Sequence, residues 1–247
     1  MTSSTAMVAF APSTGNTSFT VEWGPCGYTP GTGASTTGTN DTILVTGLSS
    51  QTCYDFYVYA TCGTVSSPTG GGPATATTSC NATLVPYTES FENSPWVANT
   101  GFVYNADVFS TCWTRTPDLY TSFAWLVRTG GTPNVNTGPS GAATGSNYLY
   151  AESSWGLVGD FAEIRLPQLY KTATGAFEVS FAYHAFGAGI DSTFVDYSND
   201  MGATWLTMGG LTQSQTSSTD PWATFTGYPA ATGDTLDIRI RQRKSGV

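Results

Sequence analysis

Charge is what this sequence has least of. Only 10% of its 247 residues are Asp, Glu, Lys or Arg, against about 25% in an average soluble domain. Eight are Lys or Arg, the formal net charge is −9 and the pI is about 4.3. Nucleic-acid binding relies on basic patches that neutralise phosphates. Attraction to anionic lipid needs clustered Lys and Arg. With so little positive charge, neither partner is expected. No apolar run approaches the roughly 18 residues of a membrane helix, so no membrane insertion is expected. Histidine is nearly missing: His184 is the only one, and a catalytic triad or a zinc site needs further partners around it. No Walker loop, HExxH or CxxC motif occurs. The opening MTSST (1–5) has neither a charged n-region nor an apolar h-region, and does not read as a signal peptide. Yet five Cys, few Lys and abundant Ser, Thr and Gly look extracellular. The two together suggest an excerpt of a longer secreted protein.

Helical periodicity is scarce, and what is present instead is strand alternation. Phe19, Val21 and Trp23 share one face; so do Tyr54, Phe56, Val58 and Ala60, and later Phe177, Val179, Phe181 and Tyr183. Leu236, Ile238 and Ile240 alternate with Asp237, Arg239 and Arg241. The 28 Gly and 13 Pro fall largely between these runs, in turn-forming clusters. Such patterning implies antiparallel sheets with one wet face. The expected fold class is all-β, with two antiparallel β-sandwiches in tandem. A small, polar stretch at 66–79 (SSPTGGGPATATTS) ends one unit, and strand character resumes at Leu84. The expected domains are 1–79 and 80–247.

The run SFTVEWGPCGYTPGTG (18–33) followed by TGLSSQTCYDFYVYATCG (46–63) resembles a fibronectin type III domain of secreted Bacteroidota proteins. The resemblance implies an Ig-like sandwich with residues 6–11 as strand B, 18–24 as strand C, and Tyr54 near the start of strand F. The Tyr54 hydroxyl would bond the preceding turn, as a tyrosine corner. Strand A would lie before Met1. The second part resembles a MAM domain, a jelly-roll-like extracellular sandwich. The matching stretches are YTESFE (87–92), CW (112–113), NTGP (136–139), YLYAESS (148–154), FAYHAFGAGI (181–190) and the Trp222 region. Members of that family end on an acidic strand, and this chain stops at Val247, short of it.

These resemblances imply site residues. Cys26 and Cys53 fall at the same end of the first sandwich, which implies a bridge, and Cys80 with Cys112 mirrors the first MAM cysteine pair. Cys62 is then left over, with Cys62–Cys80 as the alternative. Glu92 matches an acidic ligand for the calcium or sodium ion held in MAM domains; the other reading is a structural hydrogen-bonding residue. The Asp expected after NTGP is missing, since Ser140-Gly141-Ala142-Ala143-Thr144 stands there. Short patterns similar to Bacteroidota O-glycosylation sites mark Thr42, Ser192 and Thr235.

Other features have plainer readings. Ser198-Asn199-Asp200-Met201-Gly202-Ala203-Thr204-Trp205 fits the Asp-box pattern SxDxGxxW, which as a single copy reads as a hairpin turn. Trp96 and Trp155, in Gly/Asn/Ser-rich contexts, are candidates for stacking on sugar rings. Trp23, Trp113, Trp125, Trp205 and Trp222 read as core. Chance carboxylate pairs among 17 acids carry no hydrolase argument. The resulting expectation is a non-catalytic segment of a secreted or cell-surface multimodular adhesin, exported by a type IX-like route. Its partners would be extracellular polysaccharide, cell-surface glycan, or other copies of itself. The alternatives are an ancillary region of a secreted polysaccharide hydrolase or protease, and a subunit of a self-assembling surface filament.

Overall fold

Alternation turns one face of each long strand inward, and the sheets form around those faces. The computed structural model describes residues 1–99, 107–118, 123–151, 156–187 and 190–246, with backbone alone at 190 and 191. It is all-β, with no helix among the described residues. The chain divides into two compact units, Met1–Asn81 and Ala82–Val247.

The first unit holds β1 (Thr5–Ala9), β2 (Ser18–Pro25), β3 (Ala34–Gly38), β4 (Thr42–Thr46), β5 (Cys53–Cys62), β6 (Val65–Ser66) and β7 (Gly71–Thr77). Strands β1 and β4 pair antiparallel, with Ala6 opposite Val45. A second sheet runs β3–β2–β5, and β6 and β7 both pair with the far edge of β5. Ala6, Ile43 and Val45 from one sheet meet Phe19, Val21, Tyr54 and Phe56 from the other in a single core. This is a β-sandwich. Val21 and Val45 are fully buried, each contributing roughly 1.5–3 kcal/mol. The Tyr54 ring is buried and its hydroxyl accepts the Ser49 amide at 3.0 Å, the turn contact expected of it.

Two buried carboxylates shape the loops of this unit. Glu22 Oε1 accepts the amides of Gly31 (2.6 Å) and Gly33 (2.9 Å), and Asp55 Oδ2 accepts that of Gly27 (2.7 Å). Thr75 donates to the other Asp55 oxygen. Gly24 and Gly33 leave room for the Tyr28 ring, since a Cβ at either would lie 2.5 and 2.7 Å from it. Cys26 is bonded to Cys53, and Cys80 and Cys112 form the other disulfide, the pairing the resemblance implied. Cys62 is free and exposed, so the Cys62–Cys80 alternative is not formed.

The second unit holds β8 (Thr83–Leu84), β9 (Thr114–Thr116), β10 (Trp125–Thr129), β11 (Asn147–Ala151), β12 (Phe161–Arg165), β13 (Leu169–Tyr170), β14 (Val179–Tyr183), β15 (Ile190–Ser198), β16 (Leu206–Leu211), β17 (Ala223–Gly227) and β18 (Thr235–Lys244). Its main sheet has seven strands, β16–β15–β18–β12–β9, with β13 joining β18 to β8. On β18, Leu236 and Ile238 are fully buried and point inward with Ile240 and Gln242; Arg239, Arg241 and Arg243 point the other way. Over the inward face lie two separate two-stranded sheets, β10–β11 and β14–β17. Leu149 and Val127 pack with Ile164 and Ile240. Val179 packs with Leu236, Ile238 and Tyr197.

Candidate functional site

Between those two small sheets the second unit contains a cavity of about 530 Å³. Its floor is the main sheet: Ile164, Leu166, Ile240, Leu211 and the Thr193–Gln242 pair. Strands β11 and β14 each give it consecutive residues, Asn147–Ala151 and Val179–Tyr183. Alternate residues of a strand point to opposite faces, so a run of consecutive lining residues means that the strand edge borders the cavity. Among the described residues each of these strands pairs on one side only, β11 with β10 and β14 with β17.

The hydrogen-bond parity of β10 and β11 gives the direction of the groups on that edge. Val127 donates its amide to Asp107 (3.0 Å) and accepts the Asn99 amide (2.9 Å), both away from β11. Its partner across the pair is Leu149. In an antiparallel ladder both members of such a pair turn their backbone groups outward. The N–H and C=O of Leu149 therefore project from the far edge of β11. Exposed strand edges of this kind template the addition of another strand.

Aromatic groups close one end. Trp222 packs edge-on against Tyr148 and at a tilt against His184, both at 5.8 Å. Among the described residues neither ring nitrogen of His184 has a hydrogen-bond partner, and both are buried. Burial lowers the His184 pKa; the Asp220 carboxylate and the nearby backbone of Ser217 and Asp220 pull the other way without prevailing. The imidazole is thus neutral at pH 7, a weakly polar wall rather than a charged one. Burial pushes the Tyr148 phenol up to about 12, and its hydroxyl donates to the Gly130 carbonyl at 2.8 Å. Tyr87, likewise pushed to about 12 by burial, donates to Glu89 and accepts the Trp113 indole.

The residues singled out in the sequence fall in different places. Trp96 is only 6% exposed and packs on Phe91, Phe109 and Trp113. It is a core residue, and the expectation of an exposed stacking platform is corrected: the flanking polar residues mark a loop wrapped over a buried ring. Trp155 lies outside the described residues. Glu92 Oε1 accepts the amides of Ser146 and Asn147, both at 2.7 Å, while Asn147 donates back to the Phe91 carbonyl. Glu92 is thereby a tether between the Phe91 segment and β11. Gly145, at φ +68°, lets it approach, because a Cβ there would lie 2.5 Å from the carboxylate. Calcium asks for six to eight oxygens. Among the described residues no group of three His, Cys, Asp or Glu could hold a metal, and Oε1 of Glu92 is already taken up by two backbone amides. Thr42 and Thr235 are exposed at strand starts, and Ser192 is half-buried on β15.

Trp205 departs from the core reading. It sits on the outward face of the main sheet, with Arg239 at 4.3 Å and Arg165 at 5.1 Å from its ring. The Asp-box residues build the hairpin beneath it. Asp200 accepts the Thr204 amide and hydroxyl, Ser198 Oγ accepts the Gly202 amide, and Gly202 takes φ +83°. The Trp205 indole donates to the Gly202 carbonyl. The Thr204 and Ser198 hydrogen bonds hold the Asp200 carboxyl down at about 2.

Sequence reasoning missed the outward ion network around Asp196, whose side chain is 1% exposed. Its Oδ2 accepts Nε of Arg239 (2.8 Å) and of Arg241 (2.5 Å), and its Oδ1 accepts the Thr207 hydroxyl (2.8 Å). The signal was the Arg-x-Arg-x-Arg alternation, whose partners come from distant strands. Among the described residues no helix is long and apolar enough to cross a membrane. No known protein-family model matches the chain.

Proposed function

We propose that this chain is a non-catalytic segment of a secreted or cell-surface multimodular adhesin, and that its second unit adheres to like modules by accepting an extended strand. The observation that carries the proposal is the cavity bordered by the edges of β11 and β14 over an apolar floor. A strand laid there pairs its backbone with β14 and with β11 from Leu149 onward, past the Asn147 amide that Glu92 holds, and turns alternate apolar side chains onto Ile164 and Ile240. A small sugar offers no such match to two rows of backbone donors and acceptors. Two further features support the setting. The disulfides suit an oxidising, extracellular location. The first unit's sheets, with β1 on β4 and β3–β2–β5–β7 opposite, agree with the fibronectin type III resemblance, and the MAM resemblance covers the second.

The test is sedimentation velocity of the full chain from about 1 to 200 μM, repeated with Leu149→Lys, which puts a charge beside Ile164 and Ile240, in protein whose fold is checked by circular dichroism. Reversible self-association that the substitution abolishes is the expected result. A wild-type chain that stays monomeric throughout, or a variant that associates equally well, overturns the proposal.

A further inference from the structure

We infer that the outward face of the seven-stranded sheet is a second binding surface, for an acidic polysaccharide whose carboxylate or sulfate groups dock on a fixed set of arginines. The starting point is an imbalance. The whole chain has eight Lys and Arg, yet Arg165, Arg239 and Arg241 gather on this one face, with Arg243 next along β18. Arg165 and Arg239 stand directly opposite each other on adjacent strands, a placement that is destabilising for like charges unless something compensates it. Compensation is shared: Glu163 and Asp196 pair with the three guanidinium groups, and Asp237, on the same face of β18, acts on Arg165 without a direct bond.

The way those carboxylates are used matters more than their number. Asp196 grips Arg239 and Arg241 through Nε, and Glu163 grips Arg165 through Nε at 2.6 Å. Among the described residues only one terminal nitrogen of the three is engaged, Arg239 Nη1 on Glu163 at 3.0 Å. The remaining terminal groups of Arg165 and Arg241 keep their donors for an oxyanion, the geometry in which arginine recognises carboxylate and sulfate. Aromatic rings fix the forks from the side. Trp205 stacks with Arg239 and Arg165, and Arg241 lies 5.2 Å from both Phe161 and Phe194. Phe161 is 41% exposed and Arg165 keeps 44% of its side chain in solvent. Exposed ring faces beside held guanidinium groups suit a chain of pyranose rings carrying acidic substituents. The rest of the protein is acidic, so attraction is short-ranged and confined to this face.

This surface is independent of the cavity, being on the other side of the same sheet. The experiment is affinity electrophoresis of the full chain through gels containing polygalacturonate, dextran sulfate or neutral dextran, with single-stranded DNA as a polyanion of another class. Retardation by polygalacturonate, by dextran sulfate or by both is expected, and the pattern tells carboxylate from sulfate recognition. Arg165→Gln should weaken it at least tenfold. Arg241→Lys keeps the charge beside Asp196 but loses the fork, and should weaken it several-fold with the fold intact. Lys171→Gln, elsewhere in the unit, should leave it unchanged. Equal mobility in acidic and neutral gels, an unaffected Arg165→Gln, an equal loss in Lys171→Gln, or DNA binding as tight as that of the polysaccharides each overturns the inference.

Discussion

Asp196→Asn tests the charge network most directly. The substitution preserves shape and the Thr207 contact while removing the anion shared by Arg239 and Arg241. Breaking a buried ion pair from one side costs about 3–5 kcal/mol. The low end applies here, because the arginine side chains are 16% and 23% exposed and recover some hydration. At about 2–4 °C per kcal/mol for a unit of this size, a loss of about 3 kcal/mol lowers the melting temperature by roughly 6–12 °C. Calorimetry at pH 7 measures it. The pH dependence gives a second check. Burial pushes the Asp196 carboxyl up, but the hydrogen bonds from Arg241, Thr207 and Arg239 outweigh it and leave the pKa below the ordinary 3.8. A depressed folded pKa stabilises fully above the ordinary value and progressively less as pH falls through the folded one. The gap between wild type and variant should therefore be widest above pH 5 and narrow toward pH 2. A difference below about 1 kcal/mol at pH 7, the size of one ordinary hydrogen bond, would refute the network as described.

The first unit offers a parallel case: Glu22 and Asp55 both titrate below their ordinary values of 4.5 and 3.8. Desolvation opposes the shift at Glu22 and is outweighed by the Gly33 and Gly31 amides, while the Gly27 amide leads at Asp55. The unit should hold its stability above about pH 5 and lose it on acidification below about pH 4, followed by near-ultraviolet circular dichroism. Gly145→Ala drives a Cβ into Glu92 at a positive φ, and should cost about 1–3 kcal/mol in urea unfolding through the lost tether. Removing the Cys26–Cys53 bridge, whose ends are 27 residues apart, should cost the first unit about 3 kcal/mol, read as a lower urea midpoint.

How much of this was legible in the sequence depends on range. Strands whose alternation is local, such as Phe19-Val21 in β2 and Leu236-Ile238-Ile240 in β18, sit where the pattern puts them. The Tyr54 contact was legible because its partner, Ser49, is five residues away. The Asp-box hairpin was legible for the same reason. The cavity was not, because it lies between the edges of β11 and β14, and pattern reports which residues are apolar but not which edges meet. Trp96 misled because a polar neighbourhood in sequence says nothing about the ring beneath it. The ladder of Arg165, Arg239 and Arg241 was half legible: alternation put Arg239 and Arg241 on one face, but Asp196 and Glu163 reach Arg239 only through strand pairing across 43 and 76 residues.

Strand β18 makes both surfaces at once, and its buried inward polar residue, Gln242, shows how the two faces are kept apart. Gln242 lies where the alternation calls for an apolar side chain, 9% exposed on the cavity floor. Its side-chain carbonyl accepts the hydroxyl of buried Thr193, and its amide donates to the Arg243 carbonyl. A buried polar group without a partner costs about 1–3 kcal/mol, whereas replacing both members of a pair by apolar groups is close to neutral. Gln242→Leu alone should thus destabilise by about 1–3 kcal/mol, because it strands the Thr193 hydroxyl, and Thr193→Val alone should cost a similar amount. The double variant should recover most of the loss. A double-mutant cycle in urea tests this, and additive losses would show that the two residues do not act as a pair. The same cycle bears on the cavity, since a floor made wholly apolar still offers its edges to a strand. If self-association survives in the double variant, the backbone edges of β11 and β14 attract the partner; if it is lost, recognition runs through the polar pair.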